Sequence, residues 1–140
     1  MPFASTSGAL AIVRQTLLAA GGVTSRVGGR IYGSHVKTPD DRTIIYPMVL
    51  LELEGGGASP QGSYQEQLMF IYAYSRESLG KAAELYDEVH KALHHQLLKK
   101  AGIKTAGYAL EQQRPDQHWN EQVQAWYCRG FYIIRTTTAD

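Results

Sequence analysis

Two spacings alternate along the chain. Between Ser5 and Gly22, Leu10, Val13, Leu17 and Ala20 recur three or four residues apart, with Leu18 beside them. That is the period of one apolar stripe on an α-helix. Ser5, Thr6 or Ser7 can cap its free N–H groups, and Gly21 can take the left-handed stop position. A short strand is expected near Arg30 to Tyr32, then a polar loop at 33–45 punctuated by Pro39 and two aspartates. Residues 46–54 (YPMVLLELE) and 64–75 (YQEQLMFIYAYS) read as strands, with Pro47 at a first position that needs no ladder donor. The glycine-rich stretch 55–63 joins them into a hairpin with an extended tip. Helical spacing returns from Ser78 to Lys100, through Leu79, Ala82, Tyr86, Val89, Leu93 and Leu97, with Gly102 as the stop. Residues 105–114 form a third long strand, and 114–121 a turn around Pro115 and Asp116. Residues 122–136 form a last strand, long enough to need a bulge or kink near Gly130.

This order predicts an α+β domain: a mostly antiparallel sheet of four to five strands, with an N-terminal helix and a long central helix packed on it. At 140 residues the chain is one domain with one core. The stretches 33–45 and 55–63 are expected to be mobile, the second because three glycines and Pro60 leave little to hold it.

The strands carry an unusual pattern. In 64–75 one face holds Leu68, Phe70, Tyr72 and Tyr74, and the other holds Met69, Ile71 and Ala73. The last strand repeats this, with Tyr127, Phe131 and Ile133 on one side and Trp126, Cys128, Tyr132 and Ile134 on the other. A half-solvated antiparallel sheet should alternate apolar with polar. Here both faces call for cover. Either one helix lies on each face of a monomer, or an open aromatic face drives association at about 25 cal/mol per Å2. Arg30, Tyr32, Trp126 and Tyr132 are the candidate interface residues, and Gly56, Ser59 and Gln61 a candidate docking loop.

Charge and composition remove several classes. Lys plus Arg is 14 and Asp plus Glu 13, giving a net charge of +1. No overall basic field therefore points to strong nucleic-acid or membrane binding. Cys128 is the only cysteine, so no internal disulfide and no cysteine-based zinc site is expected. The opening residues lack a basic n-region, and Arg14 interrupts their apolar run. The expectation is a cytoplasmic product without an export signal or membrane span.

Chemistry-bearing motifs are sparse. VGGRIY at 27–32 has two glycines, but a helix precedes and a strand follows. That is the reverse of a phosphate-binding turn, so it reads as a corner feeding an edge strand. Gly57 and Gly62 have phosphate-loop spacing with Ser63 after them, but the lysine and the following helix are missing. Asp87, His90 and His94 stand at i, i+3 and i+7 on the central helix, a spacing that can chelate a divalent metal. No further ligand completes a shell, and a half-exposed helix shoulder accounts for them equally. Cys128 reads as a packed sheet cysteine rather than a nucleophile, although Arg129 beside it could lower its pKa. No carboxylate pair stands out as an acid/base couple.

The ordered features resemble a family. VGGRIY after a helix, then YPMVLLE, FIYAYSRESLGKAAELYDEVHKAL and WYCRGFYIIRT are similar to the tail-terminator proteins of long-tailed double-stranded DNA bacteriophages, which complete the tail and join it to the head. The resemblance spans about Leu10 to Thr136. It rests on Gly29-Arg30-Ile31-Tyr32, Tyr46-Pro47, the Tyr74-Ser75 junction and Leu93. It implies a hexameric ring in the virion neck that caps the tail tube and stops its polymerisation. The ring would also present a surface to the head-side connector or stopper, while genome DNA passes through its lumen without sequence-specific binding. It implies no enzymatic activity and no cofactor. Arg30 would then begin a strand near a subunit edge, where a neighbour's carboxylate or an intrachain partner could pair with it. The alternatives are another neck or head-closure component, or a small metal-dependent enzyme using Asp87, His90 and His94.

Overall fold

The computed structural model describes residues 6–33, 45–58, 65–98, 105–112 and 115–138; side chains are described for 8–33, 45–54, 66–98, 107–112 and 115–137. The elements run α1 (Thr6–Leu18), α2 (Gly21–Val27), β1 (Ile31–Tyr32), β2 (Met48–Ala58), β3 (Gln65–Ser75), α3 (Leu79–Leu93), β4 (Leu97–Leu98), β5 (Thr105–Glu111), β6 (Asp116–Asn120) and β7 (Ala125–Thr138). They form the expected α+β fold, with seven strands among the described residues rather than four or five. The sheet order is β1-β2-β3-β7-β5-β4, with β6 also paired to β7. Among the described ladders β1 on β2 is parallel and the others are antiparallel, with one isolated parallel bridge between His94 and Ala109.

One cluster forms most of the core. Ala9, Leu10, Ile12, Val13 and Leu17 of α1, Val23 and Val27 of α2, and Leu85, Tyr86, Val89 and Leu93 of α3 pack together. They meet Met69, Ile71 and Ala73 of β3 and Cys128, Tyr132 and Ile134 of β7. The helices therefore share one face of the sheet. Of the two arrangements open to the sequence, one helix per face is excluded for the described residues.

Several boundaries differ from expectation, each for a local reason. The first helix does not stop at Gly21. Ala20 turns extended (φ −88°, ψ 109°), and Gly21 opens a second helix whose Val23 and Val27 are fully buried. Apolar side chains in a new direction thus continue the burial on a new axis. The corner in VGGRIY then comes at Gly28, whose φ of 59° suits glycine and whose N–H bonds to the Thr24 carbonyl at 2.8 Å. The central helix ends at Leu93, not Lys100. The His95 N–H donates to the Ala109 carbonyl at 3.0 Å, and His94 Nδ1 accepts from the Glu111 N–H at 3.0 Å. Bonds to β5 thus replace the next helical turn, and Leu97 and Leu98 pair with Tyr108 and Gly107.

The expected turn at 114–121 is mostly strand: β6 pairs with 125–129, and only 121–124 turn. The β3–β7 ladder runs unbroken through Gly130, but along the other edge of β7 the partner changes there, from β5 (Glu111 opposite Tyr132) to β6 (Asp116 opposite Arg129), with a shift in register. A further irregularity lies in β2, between Leu53 and Gly55. Gly130 is explained by close approach, because a Cβ there would collide with the Tyr86 hydroxyl and sit 2.9 Å from the Tyr132 ring. Residues 55–58, expected to be mobile, pair with 65–68 in the β2–β3 ladder. The remainder of that stretch, and 34–44 of the other loop, lie outside the described residues.

Candidate interaction face

The face of the sheet that no described helix covers is built by the other parity of β3 and β7. Leu68, Phe70, Tyr72 and Tyr74 oppose Ile133, Phe131, Arg129 and Tyr127 in register. The rings form a connected patch. Phe70 lies 4.9 Å from Phe131, Tyr72 5.6 Å from Tyr127, and Tyr74 5.4 Å from Tyr127, with Tyr46 6.1 Å from Tyr74. These are edge and offset separations that aromatic quadrupoles favour. Met48, Tyr74 and Ala125 form a second small core at one end of this face, and no described helix residue joins it. The rest of the face, including Leu50, Leu68, Phe70, Tyr72, Tyr127, Phe131 and Ile133, is half-buried.

Arg129 crosses the middle of the patch. Its guanidinium lies 4.6 Å from the Phe70 ring centre and 5.9 Å from that of Tyr72, and Nη2 donates to Asp116 Oδ2 at 2.5 Å. The charge-assisted bond to Asp116 holds the guanidinium further into its charged range. Burial pushes the Asp116 carboxyl upward, but Arg129 outweighs it and keeps the acid below its usual range. Nε of Arg129 is buried without a hydrogen-bond partner among the described residues. Burial raises the Tyr72 phenol and takes the Tyr74 phenol up to about 12, so neither ionises near neutrality. The centre of the patch is thus aromatic around one tethered cation, with Glu52 opposite Phe70 and the Glu66–Arg135 ion pair at its margins. It offers rings and a flat guanidinium for packing.

The other face holds the polar cluster that the sequence associated with metal. His90 Nδ1 is 3.0 Å from Glu111 Oε2, and His94 Nδ1 is occupied by the Glu111 N–H. The Tyr86 hydroxyl bonds to the same carboxylate and lies 2.9 Å from the Tyr132 hydroxyl. Burial raises both phenols, Tyr86 most. The His90 imidazole stacks on that of His94 at 4.6 Å, and the His95 ring meets His94 edge-on at 4.2 Å. Burial and its two neighbours lower the His94 pKa, and neutral His94 is the form that can accept at Nδ1. Asp87 is exposed on the same helix. Among the described residues no three His, Cys, Asp or Glu side chains are placed to hold a metal ion. The histidines work as ties between α3 and β5.

The interface candidates named from sequence separate. Tyr32 is half-buried and packs on the second cluster, at the β1 side of the open face. Arg30 leads into β1, and its Nε donates to the Pro47 carbonyl at 2.9 Å. Trp126 is half-buried at the rim, 4.8 Å from Trp119, which is 39% exposed. Tyr132 is a correction: it is fully buried beneath α3 and offers no surface. Gly56 lies in β2, while Ser59 and Gln61 lie outside the described residues. Phe70, Tyr72, Tyr127, Phe131 and Arg129 were not singled out as site residues. Arg129 and Arg135, on the parity of Phe131, were the signal that this parity meets solvent.

No family model matches the chain, and no curated protein matches it in sequence. Among solved structures it is similar to a chain from the virion of a native gene transfer agent particle, with a TM-score of 0.68 and 19% identity. The match covers 95% of this chain and 98% of that one, so the two share a fold from end to end.

Proposed function

We propose that the protein is a structural component of a phage-like virion, and within it the tail terminator. Its protomers close into a ring, a hexamer, which caps the tail tube, stops its polymerisation and joins it to a head-side connector or stopper. Genome DNA passes through the lumen. The observation that carries this reading is the near-complete mutual coverage with a chain of a gene transfer agent virion. A whole-length likeness to a particle component favours assembly over catalysis, although fold alone does not assign a role.

The open aromatic face supplies a means of assembly. Covering the exposed half of side chains such as Phe70 and Phe131 contributes on the order of 1 kcal/mol each, half the value for full burial. A few such side chains at the centre of a contact suffice to anchor it. Electron microscopy of the protein alone and with purified tail tubes tests the role. Capped tubes of uniform length with a ring at one end are expected, and Phe131→Asp should give a folded protomer that no longer caps. A wild-type protein that leaves tube ends free and binds only head connectors would assign it to head closure instead. A monomer indifferent to both would remove the virion reading.

A further inference from the structure

The corner where α2, the start of β2 and the start of α3 meet has a surplus of cations. A cleft of about 670 Å3 there is lined by Arg26, Tyr46, Arg76, Glu77, Lys81 and Glu84 among others. The Arg76 guanidinium lies 4.3 Å from the Tyr46 ring centre, and its Nη2 donates to the Val123 carbonyl at 2.9 Å. Arg26 Nη1 donates to the Gly22 carbonyl at 3.0 Å. Arg30 stands beside the cleft, donating to the carbonyls of Pro47 at 2.9 Å and Arg26 at 3.5 Å. Every one of these acceptors is a neutral main-chain oxygen. None of the three arginines has a carboxylate within 4 Å among the described residues. Lys81 pairs with Glu84 at 3.6 Å. Glu77, with Glu84 shared with Lys81, is then set against the oriented guanidiniums, of which Arg26 also borders a hollow lined by Glu84, Asp87 and Glu88.

The complementary surplus lies at the other end of β2. Glu52 and Glu54 are both exposed, and no salt bridge reaches either among the described residues. The hydrogen bond to Glu54, burial and the Glu54 charge raise the Glu52 carboxyl, and Arg129 across the sheet, already tied to Asp116, offsets this only in part. From Pro47 to Glu54 the strand runs about 23 Å at ~3.3 Å per residue. The two surpluses of one chain therefore cannot neutralise each other. In a closed ring each subunit meets its neighbours through two different surfaces, which is the arrangement such separated patches require.

We propose that the Arg26–Arg30–Arg76 cleft of one subunit receives the Glu52 and Glu54 carboxylates of a second copy of this chain. The inference rests on the ring reading and adds the register of the ring: exposed charges at an interface rim fix orientation and speed encounter more than they add affinity. The test is the oligomer distribution of the purified protein by light scattering, with circular dichroism confirming a folded protomer. Arg76→Glu and Glu52→Lys should each weaken association by about tenfold or more, and their combination should restore it. If Arg76→Glu disturbs folding through Tyr46, the exposed Arg26→Glu probes the same cleft. A wild-type oligomer indifferent to these reversals, or losses that simply add in the combined variant, would overturn the pairing and leave the ring reading intact. A wild-type chain that stays monomeric, alone and on tail tubes, would remove the ring reading and the pairing with it.

Discussion

Gly130→Ala tests how α3 is seated on the sheet. A Cβ at this position would collide with the Tyr86 hydroxyl, sit 2.6 Å from Tyr86 Cζ and 2.9 Å from Tyr132 Cε1. Tyr86 cannot swing aside cheaply. It is 2% exposed, and its hydroxyl is bonded to Glu111 and to Tyr132. Overpacking of this kind costs about 1–3 kcal/mol, and the displaced hydrogen bond about 1 kcal/mol more. Replacing a strand glycine returns about 0.5–1 kcal/mol of backbone entropy. The net loss is about 1–3 kcal/mol. With an unfolding entropy of roughly 2.1 cal/mol/K per residue, that lowers Tm by about 3–10 °C for a chain of this length. Calorimetry on Gly130→Ala, Tyr86→Phe and the double variant gives the diagnostic quantity. Removing the hydroxyl removes the atom nearest the new methyl, so the double variant should be more stable than the sum of the singles by about 1 kcal/mol. A neutral Gly130→Ala, or strictly additive losses, would refute the close approach of α3 to β7.

Three further outcomes are expected. The lowered folded-state pKa of His94 means that the unfolded chain binds its proton more readily, so stability should fall as pH drops below about 6.5 towards the folded value. Urea midpoints measured between pH 7.5 and 5 should show this. His94→Asn, which keeps an acceptor for the Glu111 N–H, should flatten the curve, and an unchanged slope would count against the tie. Tyr132→Asp should fail to fold, because it puts an unpaired charge at a fully buried position and costs several kcal/mol; a well-folded Tyr132→Asp protein would contradict the assigned faces. Burial holds the Cys128 thiol up to about 12, so at pH 8 a thiol reagent should label it only after denaturant is added. Stoichiometric labelling of the native protein would show that β7 opens.

The α+β class and the positions of the long strands were legible because they depend on local spacing. The doubly apolar character of β3 and β7 was legible too, but not which face the helices take. Tyr132 and Phe131 are equally aromatic neighbours in sequence, and only the approach of Tyr86 to Gly130 decides which of them is core. Strand β6 was hidden because DQHWN is polar and follows a proline, which reads as a turn. Its pairing depends on the Asp116–Arg129 bond and the Trp119–Trp126 contact, neither visible as a pattern. The end of α3 was misplaced for a related reason. Leu97 continues the helical stripe in sequence, yet two backbone donors from distant residues, His95 to Ala109 and Glu111 to His94, compete successfully for that segment.

Strand β7 follows every other element in the chain, yet it pairs with β3, β5 and β6. Until it is in place β3 lacks its longest ladder, and the aromatic patch exists only as the half carried by Leu68, Phe70, Tyr72 and Tyr74. Pairings this distant in sequence form slowly, because loop closure precedes any gain from contact. Association through a face shared by β3 and β7 is consequently closed to a chain in which β7 has not yet paired. The surface that would join subunits is complete only once β7 has paired with β3, so assembly through it would select folded protomers without any separate device for inspecting them.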